Sequence, residues 1–170
     1  EQVYYKIGLQ NICIIVENQE VVQIFIVDKI QNNPAFFPFD AKVIQQIDEY
    51  FQAKRREFSF PIRLKGTDFQ IKVWKLLSRI PYGTSLAYVK VAQEYGDAKM
   101  VRAVASAIAK NPILIVVPCH RVIGSDGSLV GYSGGIATKR QLLELEGFPN
   151  NLAYFSIKKH MKRLLLRLGL

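Results

Sequence analysis

The chain has few of the residues that bind structural metals or form disulfides. Its 170 residues include two cysteines, Cys13 and Cys119, and two histidines. There is no CxxC pair, which excludes a zinc-finger pattern, and nothing resembles a disulfide scaffold, which favours a reducing compartment. No apolar run approaches the ~20 residues that span a bilayer, and the N-terminus lacks an apolar secretion core. We therefore expect a soluble intracellular protein, cytoplasmic or, in a eukaryote, nuclear, with no membrane partner.

Acidic residues are scarce in the second part of the chain. Residues 1–60 hold six Lys/Arg and eight Asp/Glu, whereas residues 61–170 hold seventeen and six, and the net charge is +9. This asymmetry predicts a surface that binds a polyanion, with nucleic acid first and an anionic membrane second. The alternative is a basic protein with no such partner.

The pattern of apolar residues predicts an α+β fold in two domains, 1–62 and 63–170. In the first domain, two β-rich runs at 12–16 and 21–27 flank a hairpin connection, and a helix follows over 41–53. The second domain is mainly helical. Its first helix, 67–79, begins with the capping-box spacing of Thr67 and Gln70. We expect three further helices, from Ser85 as N-cap to Tyr95, over 98–110 and over 136–146.

The helices around Gly96 form a helix-turn-helix outline in a basic region. The second of them carries Ala and Ser densely around one central arginine, Arg102. Small side chains let a helix backbone approach another surface closely. That surface is either a neighbouring helix or a nucleic-acid groove, including the narrow minor groove.

Cys119 lies in Pro118-Cys119-His120-Arg121, at the end of the apolar run 113–117, which we read as a strand. Nearby His and Arg favour a thiolate, so the placement indicates an activated nucleophile. The alternative is a structural cysteine, which is how we interpret Cys13. Neighbouring side chains in extended structure point to opposite faces, which argues against a protease-like Cys–His contact. His120 would instead reach the thiol through a water, and Glu146 is the candidate to orient the imidazole.

Two segments near the C-terminus complete the pattern. The turn 124–128 separates two short predicted strands, and the glycine-flanked loop 132–135 can present backbone N–H groups to a ligand. In the tail, 147–170, a basic amphipathic helix is expected to dock on the core, with a membrane surface as the alternative.

From Lys65 to Gly147 the sequence resembles the O6-alkylguanine-DNA alkyltransferases, also called methylated-DNA–protein-cysteine methyltransferases. Several motifs agree in order and spacing over about half the chain: Arg102-Ala103-Val104, Asn111-Pro112, Pro118-Cys119-His120-Arg121, Gly131-Tyr132-Ser133-Gly134-Gly135 and Leu145-Glu146-Gly147. The resemblance implies a ribonuclease-H-like N-terminal domain and a winged-helix-like second domain. It implies a single-turnover enzyme that binds double-stranded DNA containing O6-alkylguanine, acts as a monomer and needs no cofactor.

The resemblance also implies the catalytic residues. Cys119 accepts the alkyl group and keeps it as a thioether. His120 takes the thiol proton through a water, and Glu146 positions His120. Asn111 braces the turn that leads to the active site, and Tyr88 donates a hydrogen bond to guanine N3.

The remaining implied residues bind the lesion and the duplex. Tyr132 and Ser133 belong to the loop that closes over the flipped base, and Val122 also contacts the substrate. Arg102 enters the stack where the base left. The residues expected to contact DNA are Arg102, Ala103, Ser106 and Arg121.

Two departures from the family pattern and two alternatives remain. Ala105 and Ser106 stand where members often have glycine. Residues 1–60 contain no histidine, so we predict no structural zinc. A non-catalytic lesion-binding relative is one alternative, although such proteins replace the cysteine. A cysteine hydrolase or thiol-redox protein is the other.

Overall fold

The computed structural model describes residues 2–7, 10–31 and 37–148, so the tail helix predicted within 147–170 lies almost wholly outside the described residues. The described chain is mixed α/β, as the sequence predicts, with a small antiparallel sheet followed mainly by helices. The ribonuclease-H-like, winged-helix-like and helix-turn-helix assignments stay predictions. The helices and strands are β1 Gln2–Ile7, β2 Gln10–Glu17, β3 Glu20–Val27, α1 Pro38–Phe51, α2 Asp68–Leu77, β4 Leu86–Ala87, α3 Tyr88–Tyr95, α4 Val101–Ala109, β5 Val122–Ile123 and α5 Ile136–Leu145.

The first sheet has the order β1-β2-β3, and both pairs are antiparallel. The predicted hairpin joins β2 to β3 through Asn18 and Gln19, whose φ angles are 51° and 60°. Two successive positive φ angles match the twist of the flanking strands, which is why asparagine suits the first position. The sequence reading missed β1, because its apolar residues do not form a continuous run.

Helix α1 contacts this sheet along β1 and fully buries Val43, Ile47 and Tyr50. The helix begins at Pro38, three residues before the predicted start. Proline suits a first helical position because its missing N–H has no partner there in any case. The backbone N–H of Phe37 donates to Asp40 Oδ2 at 3.1 Å and closes the first turn.

Helix α2 begins as predicted. The backbone N–H of Gln70 donates to Thr67 Oγ1 at 3.2 Å, and the N–H of Thr67 donates to Gln70 Oε1 at 3.0 Å. The helix ends at Leu77 rather than Arg79. The indole N–H of Trp74 then donates to the carbonyl of Ala107 at 2.8 Å, which fixes α2 against α4.

The predicted N-cap at Ser85 is wrong. Residues 86 and 87 form β4, which pairs in parallel with β5, and α3 begins at Tyr88 with Ala87 as its N-cap. Val122 and Ile123 form the short strand β5, as predicted, but the second strand predicted at 129–130 does not form. The short parallel pair therefore places Tyr88 beside the segment that follows Cys119.

The strand predicted at 113–117 is also wrong. Only Ile113 forms a bridge, to Ile24 of β3, and the chain then turns, with φ 75° at Ile115. The apolar residues of this run lie mostly in the core, so their hydrophobicity reflects burial and not pairing with a neighbouring strand. A one-turn 3₁₀ helix over Cys119–Arg121 follows and carries the motif residues.

One hydrophobic core connects the two predicted domains, because Ile24 and Val43 belong to the same buried cluster as Val73 and Ile113. The domain boundary at 62/63 stays a prediction. None of the helices in these ranges has the length and apolar composition to cross a membrane.

Candidate active site

Cys119 is buried, with 3% of its surface exposed, at the start of the 3₁₀ turn. Asn111 Nδ2 donates to Cys119 Sγ at 3.1 Å and to the carbonyl of Val117 at 2.8 Å. The backbone N–H of Ile113 donates to Asn111 Oδ1 at 3.0 Å. Asn111 is thus bonded to both ends of the turn between α4 and the thiol, and its role in bracing the site stays a prediction.

Burial raises the pKa of the Cys119 thiol to about 11, while the hydrogen bond from Asn111 and the charge of Lys139 act in the opposite direction. The sulfur is therefore protonated at neutral pH in the resting protein. A base has to remove its proton before or during attack on carbon, because the thiolate is the nucleophile.

His120 is fully buried, and its Nε2 lies 2.7 Å from Glu146 Oε1. Burial lowers the pKa of His120, and the charges of Arg121 and Lys139 lower it further, against the opposing effect of Glu146. The imidazole is therefore neutral at physiological pH. Because Glu146 is an acceptor, Nε2 carries the proton and Nδ1 has the free lone pair. Nδ1 has no hydrogen-bond partner among the described residues.

The Glu146 carboxylate accepts five hydrogen bonds. Tyr50, His120 and Arg121 Nη2 donate to Oε1 at 2.6, 2.7 and 3.0 Å, and Arg121 Nε and the N–H of Gly83 donate to Oε2 at 2.9 and 3.2 Å. Burial alone would raise the pKa of Glu146, but the bonds from His120 and Arg121 outweigh it and hold the pKa at about 2. The carboxylate is therefore a permanent anion at the centre of the site.

The assignment of Arg121 as a DNA-contacting residue does not fit the structure. Arg121 is 7% exposed, its Nε and Nη2 are bound to Glu146, and its Nη1 donates to the carbonyl of Ile80 at 2.5 Å. Removing a guanidinium from such a pair would leave Glu146 buried and uncompensated. Arg121 therefore stabilises the carboxylate and is not available to a phosphate.

Lys139 is a residue that the sequence reading missed. Its side chain is fully buried, and Nζ donates to the carbonyls of Val122 and Val130 and lies 3.5 Å from the Tyr88 hydroxyl. Burial lowers the pKa of Lys139 to about 8, and the nearby Cys119 acts in the opposite direction. The sequence does contain a signal for this residue, a lysine on the inward face of a predicted helix. Buried lysines are rare without a partner, so such a position indicates a specific polar contact.

Tyr88 and Arg102 line a cavity of about 300 Å³ between α3, α4 and the loop at Val130 and Gly131. The Tyr88 hydroxyl donates to the carbonyl of Val130 at 2.9 Å. Burial and the neighbouring Cys119 raise the pKa of Tyr88 to about 12, so the hydroxyl remains a donor at neutral pH. The remaining lining side chains, Val101, Ala105 and Ala109, are apolar and small enough to leave the space open.

The exposed face of α4 carries Arg102, Ala103 and Ser106, while its other face buries Val104 and Ile108. This division supports a helix whose outer surface is smooth and carries a single long cation. The small residues Ala103 and Ser106 are exposed, so they do not pack against a neighbouring helix. Of the two interpretations of the small residues, this favours a nucleic-acid groove.

The loop over 131–135 carries two predicted substrate-binding residues, one of which is buried and one exposed. Tyr132 is buried and its hydroxyl has no hydrogen-bond partner in the described part of the chain, whereas Ser133 is exposed. A Cβ on Gly134 would come within 2.7 Å of Ile26 Cδ1 and 2.6 Å of the Tyr132 ring. The loop therefore packs closely against β3, and a side chain at position 134 would require Ile26 and Tyr132 to shift.

Cys13 is fully buried in β2, which agrees with its interpretation as a structural cysteine. Within residues 2–7, 10–31 and 37–148, no group of three or more His, Cys, Asp or Glu side chains is placed to hold a metal ion. Val122, the other predicted substrate contact, is fully buried, and its carbonyl is occupied by Lys139.

Comparison with known proteins connects this site to a family. Residues 68–148 match the family model for the DNA-binding domain of 6-O-methylguanine DNA methyltransferase. The methylated-DNA–protein-cysteine methyltransferase of Mycobacterium tuberculosis is 50% identical over 103 residues, which are 61% of this chain and 62% of that protein. The enzyme of the same name from Methanosarcina barkeri is 44% identical over 125 residues, covering 74% of this chain and 75% of the relative.

The fold agrees with solved structures of O6-methylguanine methyltransferases, including the mycobacterial one abbreviated OGT. The crystal structure of Mycobacterium tuberculosis OGT in complex with DNA has a TM-score of 0.78 at 35% identity, covering 86% of this chain and 92% of that one. The architecture is thus that of the O6-methylguanine methyltransferases. The chain belongs to the methylated-DNA–protein-cysteine methyltransferase family, although it spans less than two thirds of the length of the mycobacterial relative.

Proposed function

We propose that this protein repairs DNA by moving the alkyl group of O6-alkylguanine, and more weakly that of O4-alkylthymine, irreversibly onto Cys119. Each molecule acts once, as a monomer on double-stranded DNA, and flips the damaged nucleotide out from the minor groove. The observation that carries the proposal is the buried thiol beside a neutral imidazole whose Nε2–H is bound to Glu146, which leaves Nδ1 as the base.

The transfer step balances with the residues of the site. The thiol proton of Cys119 passes through a water to His120 Nδ1, and the sulfur attacks the alkyl carbon. The S–C bond forms as the C–O6 bond breaks, and the electron pair of that bond stays on guanine. Glu146 stabilises the imidazolium that results, since opposite charge beside a buried cation favours it. The thioether has no route back to a thiol, so the protein is consumed.

Guanine leaves as an anion, so hydrogen-bond donors at the base are needed. The Tyr88 hydroxyl, at the edge of the cavity, exchanges its bond to the Val130 carbonyl for one to N3, and a backbone N–H of the loop at Ser133 lies near O6. Lys139 supports this arrangement because its Nζ lies 3.5 Å from the Tyr88 hydroxyl and donates to the carbonyls of Val122 and Val130.

DNA binding is assigned to the exposed face of α4. The small residues Ala103 and Ser106 let the helix enter the minor groove, and Arg102 fills the space that the flipped base vacates. Extruding a base costs a few kcal/mol, which Arg102 offsets in part. The DNA complex formed by the mycobacterial structural relative supports DNA as the partner, and the remaining affinity should be electrostatic and salt-dependent.

Intact-mass measurement tests the proposal. The protein is incubated with excess duplex containing a single O6-methylguanine. We expect one methyl group per molecule, none in Cys119→Ala, and an unchanged result in the control Cys13→Ala. Peptide mapping should place the methyl on Cys119.

Two outcomes would contradict the proposal. Lesion binding without a mass gain would indicate the non-catalytic lesion-binding alternative. Conversion of many substrates per protein molecule would indicate a turnover hydrolase or redox enzyme.

A further inference from the structure

Tyr50 reaches the candidate active site from the N-terminal part of the chain. It lies in the last turn of α1, is fully buried, and packs edge-on against Tyr82 with ring centroids 6.1 Å apart. Its hydroxyl donates to Glu146 Oε1 at 2.6 Å and lies 3.5 Å from His120 Nε2. Residue 50 and residue 146 are far apart in sequence, and the family motifs lie entirely after residue 64.

The hydroxyl can act only as a donor to Glu146. Burial raises the pKa of Tyr50, and the negative charge of Glu146 raises it further, so the phenol stays protonated. Its proton therefore points to Oε1, the same oxygen that accepts from His120. On the other side, Arg121 Nε and the backbone N–H of Gly83 hold Oε2.

These contacts fix the rotation of the carboxylate. Without the Tyr50 hydroxyl, Oε1 keeps two donors, His120 Nε2 and Arg121 Nη2, and the charged guanidinium, which also holds Oε2, draws the carboxylate away from His120. The Nε2–H of His120 would then lose its aligned acceptor, and the imidazole would lose the restraint on its ring orientation and tautomer.

We propose that Tyr50 is a positioning residue for alkyl transfer, which orients Glu146 and through it keeps His120 Nδ1 directed at the thiol proton. The inference rests on the proposed function. It also gives the N-terminal part of the chain a role in the chemistry, in addition to its packing role at Ile26 and Gly134.

Two measurements on Tyr50→Phe separate positioning from packing, because the substitution keeps the ring and removes one oxygen. The first is the single-turnover rate of alkyl transfer from free O6-benzylguanine over a range of concentrations. The second is ¹⁵N NMR of labelled histidine in the Cys119→Ala background, which reports the tautomer of His120. Tyr5→Phe is the matched control, because it removes another hydroxyl that binds α1, at Asp48 Oδ2.

For Tyr50→Phe we expect the maximal rate to fall about tenfold, which corresponds to about 1.4 kcal/mol of lost transition-state stabilisation. The half-saturating concentration should stay the same, and the His120 nitrogen shifts should move away from a pure Nε2–H form. Tyr5→Phe should change neither measurement. The NMR experiment still reports on Tyr50 where destabilisation slows the reaction for other reasons.

Unchanged His120 shifts and an unchanged maximal rate in Tyr50→Phe would overturn the positioning role. So would an equal loss of rate in Tyr5→Phe. Failure of the unsubstituted protein to gain a methyl group from duplex O6-methylguanine would instead refute the proposed function, so the two failures are distinguishable.

Discussion

The buried charge cluster around Glu146 supports a quantitative prediction. Glu146→Gln keeps the size of the side chain and removes its charge. The new amide N–H₂ group would face Arg121 Nε or Tyr50, both of which are donors, so one contact becomes a donor–donor clash. Arg121 would also be left as an uncompensated cation in a site where the carboxylate side chain is fully buried.

The structure gives the size of the effect in two ways. Breaking a buried ion pair by removing one partner costs about 3–5 kcal/mol. Independently, the pKa of Glu146 is held at about 2 instead of 4.5, and at 1.36 kcal/mol per pKa unit this corresponds to about 3 kcal/mol of stability. Because the folded-state pKa is depressed, that contribution is complete above about pH 4.5 and is lost as the pH falls toward 2.

Urea unfolding near neutral pH measures this loss. With a slope of about 3 kcal/mol per molar, a loss of 3–5 kcal/mol lowers the midpoint of Glu146→Gln by about 1–1.7 M. The control Glu49→Gln removes the carboxylate of the Arg55–Glu49 pair, in which both side chains are 29% exposed. That change should cost less than about 1 kcal/mol.

A double variant tests the reason for the loss. Arg121→Met in the Glu146→Gln background removes the unpaired cation, so the double variant should be about 2 kcal/mol more stable than the sum of the single losses. A loss below about 1 kcal/mol in Glu146→Gln, or strict additivity in the double variant, would refute the buried-pair reasoning.

Two further predictions concern the reaction and the thiol. Arg102→Ala should slow repair of duplex DNA at least about tenfold while leaving reaction with free O6-benzylguanine within about twofold, because a free base needs no flipping. Single-turnover rates measure both reactions, and equal losses of rate would contradict the role of Arg102. Burial raises the pKa of Cys119, so iodoacetamide should label it with an apparent pKa above that of a free thiol, about 8.5. Peptide mass spectrometry across a pH series measures this, and labelling that is already complete near pH 5 would show a resting thiolate.

Local sequence signals predicted the parts of the fold whose partners are close in the chain. The capping box of Thr67 and Gln70 involves residues three apart, and the hairpin at Asn18 and Gln19 needs only two turn residues. The errors came where tertiary contacts override local pattern. The run 113–117 has the composition of a strand, but after Ile113 it turns into the core instead of pairing.

The candidate site divides in the same way. The sequence placed Asn111, Cys119 and His120 within a span of ten residues, and the short turn brings Asn111 to the thiol. Lys139 and Tyr50 were missed because helical periodicity shows that a face is buried and does not show which polar group it meets. Arg121 was assigned to DNA because a cation beside a nucleophile gives no sign of turning inward.

The sequence by itself determined the candidate groups of this protein: a cysteine next to a histidine, a helix with small residues around Arg102 and a basic second half. These are covalent and periodic properties that do not depend on the fold. Only the tertiary structure decided that Glu146 is shared by Tyr50, His120 and Arg121, the first of which lies 96 residues from Glu146 in sequence. The reason is physical, because a buried carboxylate needs several converging donors and only the packing of α1 and α5 around the 3₁₀ turn brings them to one point.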